Sequence, residues 1–135
     1  MKSFDVQSIE LNVPRGRAHA FIADPTHLPK WTNAFAAVAG QSAVMRTPAG
    51  EVSVGLEVQA SAEQGTVDWR MTFPDESIAA AYSRVIELDP KRCIFSFVLT
   101  APPVPLEELE GALEAQSRTL ALELERLKRI LEHHG

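Results

Sequence analysis

Disulfides are beyond this chain, because its 135 residues include one cysteine, Cys93. Neither an internal disulfide framework nor a multi-cysteine metal knuckle fits that count. A basic excess is missing as well. Thirteen Lys and Arg against eighteen Asp and Glu leave a net charge of -5 and a pI near 5.3, the wrong sign for a protein that displaces counterions from nucleic-acid phosphates. No stretch approaches the ~20 apolar residues of a membrane span. The start, Met1-Lys2-Ser3-Phe4-Asp5, has no apolar run of a secretion signal, so a soluble cytoplasmic protein is expected. Low-complexity tracts, internal repeats and a Gly-rich phosphate loop are all lacking. What remains, 45% hydrophobic and 23% charged residues, is the composition of one folded domain over residues 1–135.

Periodicity supplies the elements. Ile9, Leu11 and Val13 alternate with Ser8, Glu10 and Asn12, which predicts a half-buried strand from Phe4 to Val13. Pro14 suits the opening of a short helix through Ala23, since its missing N–H has no partner in a first turn. Asp24-Pro25 ends that helix, and Thr26 to Trp31 reads as a second short turn before an irregular segment from Thr32 to Gln41. Strands follow: Ala43–Thr47 and Glu51–Ala60 as a hairpin around Pro48-Ala49-Gly50, then Thr66–Phe73, Ile78–Leu88 and Cys93–Thr100. In the hairpin Val52, Val54, Leu56 and Val58 share a face. If Pro74–Ser77 and Asp89–Arg92 are four-residue loops, Trp69 faces Tyr82, Val67 faces Arg84, and Arg84 faces Phe97. One side of the sheet then collects Trp69, Phe73, Tyr82, Arg84, Phe95 and Phe97. After Ala101–Pro105, leucines at 106, 109, 113, 120, 124, 127 and 131 recur at steps of three and four, with Gln116 in the gap. They predict a helix from about Pro105 to about Leu131.

A strand, two short helices, about six antiparallel strands and a long last helix make the order of an α+β helix-grip fold, a curved sheet wrapped on its C-terminal helix. The local text agrees with one superfamily. Ile9-Glu10-Leu11-Asn12-Val13-Pro14, Ala18 to Pro25, and Leu28-Pro29-Lys30-Trp31 resemble the opening of START-like (SRPBCC, Bet v1-like) proteins. Thr47 to Val52 and Asp68-Trp69 are similar to the small bacterial members described as polyketide cyclase/dehydrase or lipid transport proteins. The resemblance covers nearly the whole chain, yet Pro14, Asp24, Pro25 and Trp31 are its structural signatures. It implies an internal cavity, not a reaction. The expected function is binding of a small hydrophobic or amphiphilic ligand. An enzyme of the cyclase/dehydrase type and a homodimeric or protein-interaction module are the alternatives. The Cys–His and His/Asp iron motifs of the oxygenase relatives are absent, and neither cofactor nor metal is expected.

Candidate ligand-binding residues follow from the assumed register. Arg84 on the inner face reads as an anchor for a carboxylate or enolate oxygen, or else as a guanidinium turned to the rim or paired with an acid. Trp69 and Tyr82 line the cavity or are core with a satisfied polar tip. Phe95, Phe97 and Leu120 complete the apolar wall. Gln116 either wets the cavity or bonds a backbone carbonyl. His19 and His27 are a general base or, more simply, packing and turn decoration. Cys93 reads as a small hydrophobe. For the interaction module, Ala79, Ala81, Val85, Ile94 and Val98 are expected on the outer face.

Overall fold

The structure, a computed structural model, describes residues 3–47, 50–100 and 106–133, with side chains on the last helix described from residue 115. Seven antiparallel strands, rather than six, form one sheet in the order β1-β7-β6-β5-β4-β3-β2. They are β1 (Phe4–Leu11), β2 (Phe35–Ala39), β3 (Ser42–Thr47), β4 (Gly50–Ser61), β5 (Thr66–Thr72), β6 (Ile78–Asp89) and β7 (Arg92–Thr100). The extra strand, β2, comes from the segment expected to be irregular. Its sequence Phe-Ala-Ala-Val-Ala is short and rich in alanine, a weak strand former. Pairing with β3 at the sheet edge, broken by a bulge between Phe35 and Ala37, overrides that weakness.

Between β1 and β2 lie α1 (Arg15–Ala23), a 3₁₀ turn (Pro25–His27) and α2 (Leu28–Trp31). The Asp24 side chain caps the turn, accepting from the Thr26 N–H at 3.0 Å and the Thr26 hydroxyl at 2.7 Å. These bonds hold the Asp24 carboxyl below its ordinary range. The last helix, α3 (Leu106–His133), runs two residues beyond the expected end. Its Leu120, Leu124, Leu127 and Leu131 are buried against the sheet, and α2 packs on it beside β2. This is the helix grip that the periodicity predicts. Leu109 and Leu113, also expected in the stripe, fall outside the described side chains, as Pro48-Ala49 and Ala101–Pro105 fall outside the described residues.

Neither turn that flanks β6 is the four-residue loop expected, and the register shifts by one residue at each. Thr72 pairs with Ile78. Beyond that pair, Glu76 N–H donates to Phe73 O and Phe73 N–H to Ser77 O, while Glu76 sits at φ 71°. A tight turn followed by a left-handed residue is a three-residue hairpin with a bulge. On the other side Asp89 pairs with Arg92 and the ladder slips between Glu87 and Asp89, with Glu87 opposite Cys93. Consequently Trp69 faces Ala81, Val67 faces Ser83, and Phe97 also faces Ser83. A one-residue slip inverts every side chain of a strand. Tyr82 and Arg84 therefore lie on the outer face, exposed, while Ala81, Ser83 and Val85 point into the core.

The correction reaches the outer face too. Ala81 and Val85 are buried and Ala79 packs against the core, contrary to expectation, whereas Ile94 and Val98 are half-buried beside outward neighbours. Val6, Val98 and Tyr82 make one row across β1, β7 and β6, flanked by exposed Phe4 and Ile86.

Candidate functional site

Trp69 and Phe97 sit on strands separated by β6, yet their rings meet at 5.7 Å between centroids. They meet because β6 presents only Ala81 and Ser83 beneath them. The aromatic series continues from Phe97 to Phe95 at 6.1 Å, edge to face, and from Phe95 to Trp31 at 6.1 Å. Small residues on the middle strand thus give bulky ones room to lean inward. The Ser83 hydroxyl, buried, donates to the Val67 carbonyl at 2.6 Å, so no polar tip is left over there.

At the Trp69 end the packing stops short. A cavity of about 60 Å³ is lined by Leu28, Trp31, Thr32, Phe35, Trp69, Met71, Ala81, Phe97, Leu120 and Glu123. Its walls come from α2 and the residues after it, from β5, β6 and β7, and from α3. Nearly all are apolar, and Glu123 is the ionisable one. Burial pushes its carboxyl above the ordinary value of 4.5, and the Asn33 N–H and the Arg126 guanidinium pull the other way. Asn33 is the junction of this rim. Its N–H donates to Glu123 Oε2 at 2.5 Å, its side-chain oxygen accepts from Arg126 at 2.9 Å, and its carbonyl accepts from Arg46 at 2.9 Å. Glu123 makes one hydrogen bond among the described residues, which leaves Oε1 without a donor among them.

Two residues of the cavity wall also carry an unsatisfied polar group among the described residues. The buried indole N–H groups of Trp31 and Trp69 have no hydrogen-bond partner among the described residues. Each costs about 1–3 kcal/mol when left unpaired, and native interiors seldom accept that without a use for the donor.

Of the residues singled out in the sequence, Trp69, Phe97 and Leu120 line this cavity. Phe95 is fully buried behind them. Tyr82 and Arg84 do not reach it, being on the opposite face of the sheet for the reason of register given above. Gln116 is exposed. At its level α3 turns Ser117 to the sheet, where Gln7 donates to the Ser117 carbonyl at 2.7 Å and the Ser117 hydroxyl donates to Asp5. One residue earlier, about 100° round the helix, points away. His19 is core: Nε2 lies 3.1 Å from the Thr66 carbonyl, so it is the protonated nitrogen. His27 stacks on Phe21 at 4.1 Å, with Nδ1 2.8 Å from the Phe21 carbonyl, and belongs to the turn. Cys93 is buried, and burial pushes its thiol up. Among the described residues no three His, Cys, Asp or Glu side chains cluster as a metal site would require, and no helix is long and apolar enough to cross a membrane.

Sequence reasoning missed Glu123, and Trp31 as more than a turn former, whereas Met71 lies on the inner face beside Trp69 as its alternation predicts. A signal for Glu123 existed. It lies three residues after Leu120 and four before Leu127, on the flank of the buried stripe rather than opposite it.

No family model and no curated protein matches the sequence. Solved structures do match the fold. XoxI from Bacillus cereus superposes with a TM-score of 0.70 at 14% identity, covering 96% of each chain. A START superfamily protein from Mycobacterium smegmatis gives 0.66 at 9% identity over 98% of this chain and 99% of its own. The Zhui aromatase/cyclase from Streptomyces sp. R1128 gives 0.65 at 12% identity over 95% and 94%. At these identities the likeness is one of fold.

Proposed function

We propose that this chain, which has the START-like helix-grip fold, binds a small, largely apolar molecule between the sheet and α3. The carrying observation is the apolar cavity lined by Glu123 and by two tryptophans whose indole donors lack partners among the described residues. As it stands, its about 60 Å³ is well short of the ~300–1,000 Å³ of a drug-sized pocket. Occupancy by even one ring therefore requires widening. Met71, with three rotatable bonds, is the wall residue best able to yield. The anionic headgroup that an inward Arg84 would have held has no place in this reading. Support also comes from the company the fold keeps, which includes an aromatase/cyclase.

Both tryptophans of the chain line the cavity, so the two indole N–H resonances of a ¹H–¹⁵N spectrum report directly on it. Titration with toluene is expected to shift both, saturably, before most backbone amides move. Unmoved indole signals at the solubility limit of toluene would sink the proposal.

A second reading, a cyclase/dehydrase-type enzyme, has its own observation. Glu123 is a cavity carboxyl raised by burial, as a general acid or base requires. In that reading Glu123→Gln abolishes turnover of any substrate found, while the fold survives. Self-association rests on the outer row of Phe4, Val6 and Tyr82, all exposed. Sedimentation velocity reads it: a dimer that Val6→Lys dissociates supports it, and a monomer at every concentration removes it.

A further inference from the structure

The chemistry of the cavity narrows the class of ligand. Glu123 Oε2 is held by the Asn33 N–H at 2.5 Å, which orients the carboxylate and leaves its second oxygen for a donor. Among the described residues the rest of the wall offers no other acceptor side chain of comparable strength; Thr32 turns its hydroxyl to the Leu28 carbonyl at 2.7 Å. Trp31, Trp69 and Phe97 line the same cavity as Glu123, and their rings favour a flat apolar body.

Charge decides between the possible donors. Arg126 already faces Glu123 electrostatically and is fixed on Asn33 Oδ1 at 2.9 Å. The rim therefore carries a cation and an anion together, and a further ammonium gains little there. A carboxylate ligand fares worse, because it would meet Glu123 in an apolar enclosure whose wall holds no cation among the described residues. A hydroxyl is the group that fits, donating to Oε1 and accepting from an indole N–H that widening of the cavity frees.

We infer that Glu123 is the specificity-determining residue of this cavity, selecting an uncharged aromatic or alicyclic molecule that carries a hydroxyl of the phenol or enol kind. The inference rests on the cavity being the ligand site and adds the identity of the group it recognises.

A series of toluene and its para-substituted derivatives tests it on the intact chain: toluene, 4-methylphenol, 4-methylbenzoate and 4-methylbenzylamine, titrated at neutral pH with both indole resonances as readout. In the wild type 4-methylphenol is expected to bind about tenfold more tightly than toluene, the scale of a hydrogen bond to a charged group. The benzoate and the benzylamine are expected to bind more weakly than the phenol. Glu123→Gln keeps the shape and the acceptor for Asn33, and the phenol's advantage is expected to fall to about threefold, that of a neutral bond. Toluene affinity stays unchanged in that variant. Glu123→Leu removes the advantage altogether. Equal affinities for toluene and 4-methylphenol in the wild type, a preference that survives in both variants, or tighter binding of the amine or the acid overturns the inference while leaving the cavity as a ligand site. If none of the four shifts the indole signals, the cavity reading falls as well, and this inference with it.

Discussion

The two ends of the same sheet-and-helix sandwich are packed differently. At one end Leu11, Ile22, Val67, Cys93, Phe95 and Leu127 are 0% exposed, and α1 closes over β5, β6 and β7. At the other, Trp69, Met71, Phe97 and Leu120 leave space between them and share it with a carboxylate. Composition does not separate the ends, since both are built of aromatic and branched side chains. What differs is the closing element. α1 supplies Ala18 and Ile22 to the closed end, whereas the four residues of α2 and the stretch after it only reach the rim of the open one. The closed end holds the fold together, and the open end is free to serve a ligand.

Truncation should separate the two most sharply. Phe95→Ala removes a ring held on all sides, and a loss of about 3–5 kcal/mol is expected in urea unfolding. Phe97→Ala enlarges a cavity that already exists and already holds a polar group, so water relieves part of the cost. Its loss is expected near the lower figure, about 3 kcal/mol, together with tighter binding of toluene-sized probes. Equal losses, with no gain in binding, would show that the two ends are packed alike.

The legibility of the fold follows the same contrast between strong and weak patterns. β4 reads correctly because Val52, Val54, Leu56 and Val58 alternate with polar residues. α3 reads correctly because its leucines do. β6 does not. Ile78, Tyr82, Ile86 and Leu88 on one face oppose Ala79, Ala81 and Val85 on the other, so hydrophobicity alone has no preference between them. Turn chemistry had to decide, and it was silent. The left-handed position of the first turn is held by Glu76, where a glycine or asparagine would have announced the bulge. Side-chain volume carried the missing information. Trp69 and Phe97 on the neighbouring strands call for small residues between them, and only the face bearing Ala81 and Ser83 supplies those. The cavity was half legible for the same reason: Trp69, Phe97 and Leu120 came from clear patterns, and Glu123 was hidden on the flank of a stripe whose centre is leucine.

Glu123 offers a test of the open end that needs no ligand. Its folded pKa lies above the ordinary 4.5, so the folded state disfavours its ionisation. The resulting penalty is absent below about 4.5, where both states are protonated, and is fully present once pH has risen through the folded pKa. Asp24, Asp75, Asp89 and Glu132 are shifted downward and titrate in wild type and variant alike, so they cancel from the difference. Glu123→Gln is therefore expected to melt higher than wild type at pH 7, with the gain shrinking to nothing as pH falls to 4. A gain that persists at pH 4 would mean the carboxylate is not what strains this end.

The smallest effect is expected from the residue that a four-residue turn would have placed at the centre. Arg84 is exposed, on the face of β6 opposite the cavity, paired across the strands with Thr66 and Ser96. Its substitution removes no buried contact and strands no charge. Arg84→Met should leave stability within about 0.5 kcal/mol, as for surface positions away from special features, and should leave toluene and 4-methylphenol titrations of the indole resonances unchanged. Ser83→Arg puts the same side chain on the inner face. It replaces a hydroxyl bonded to the Val67 carbonyl with a buried cation lacking a carboxylate partner, and unfolding or a loss of several kcal/mol is expected. If Arg84→Met instead weakened binding while Ser83→Arg was tolerated, β6 would have its other face inward, and the assignment of the cavity wall would have to be turned over with it.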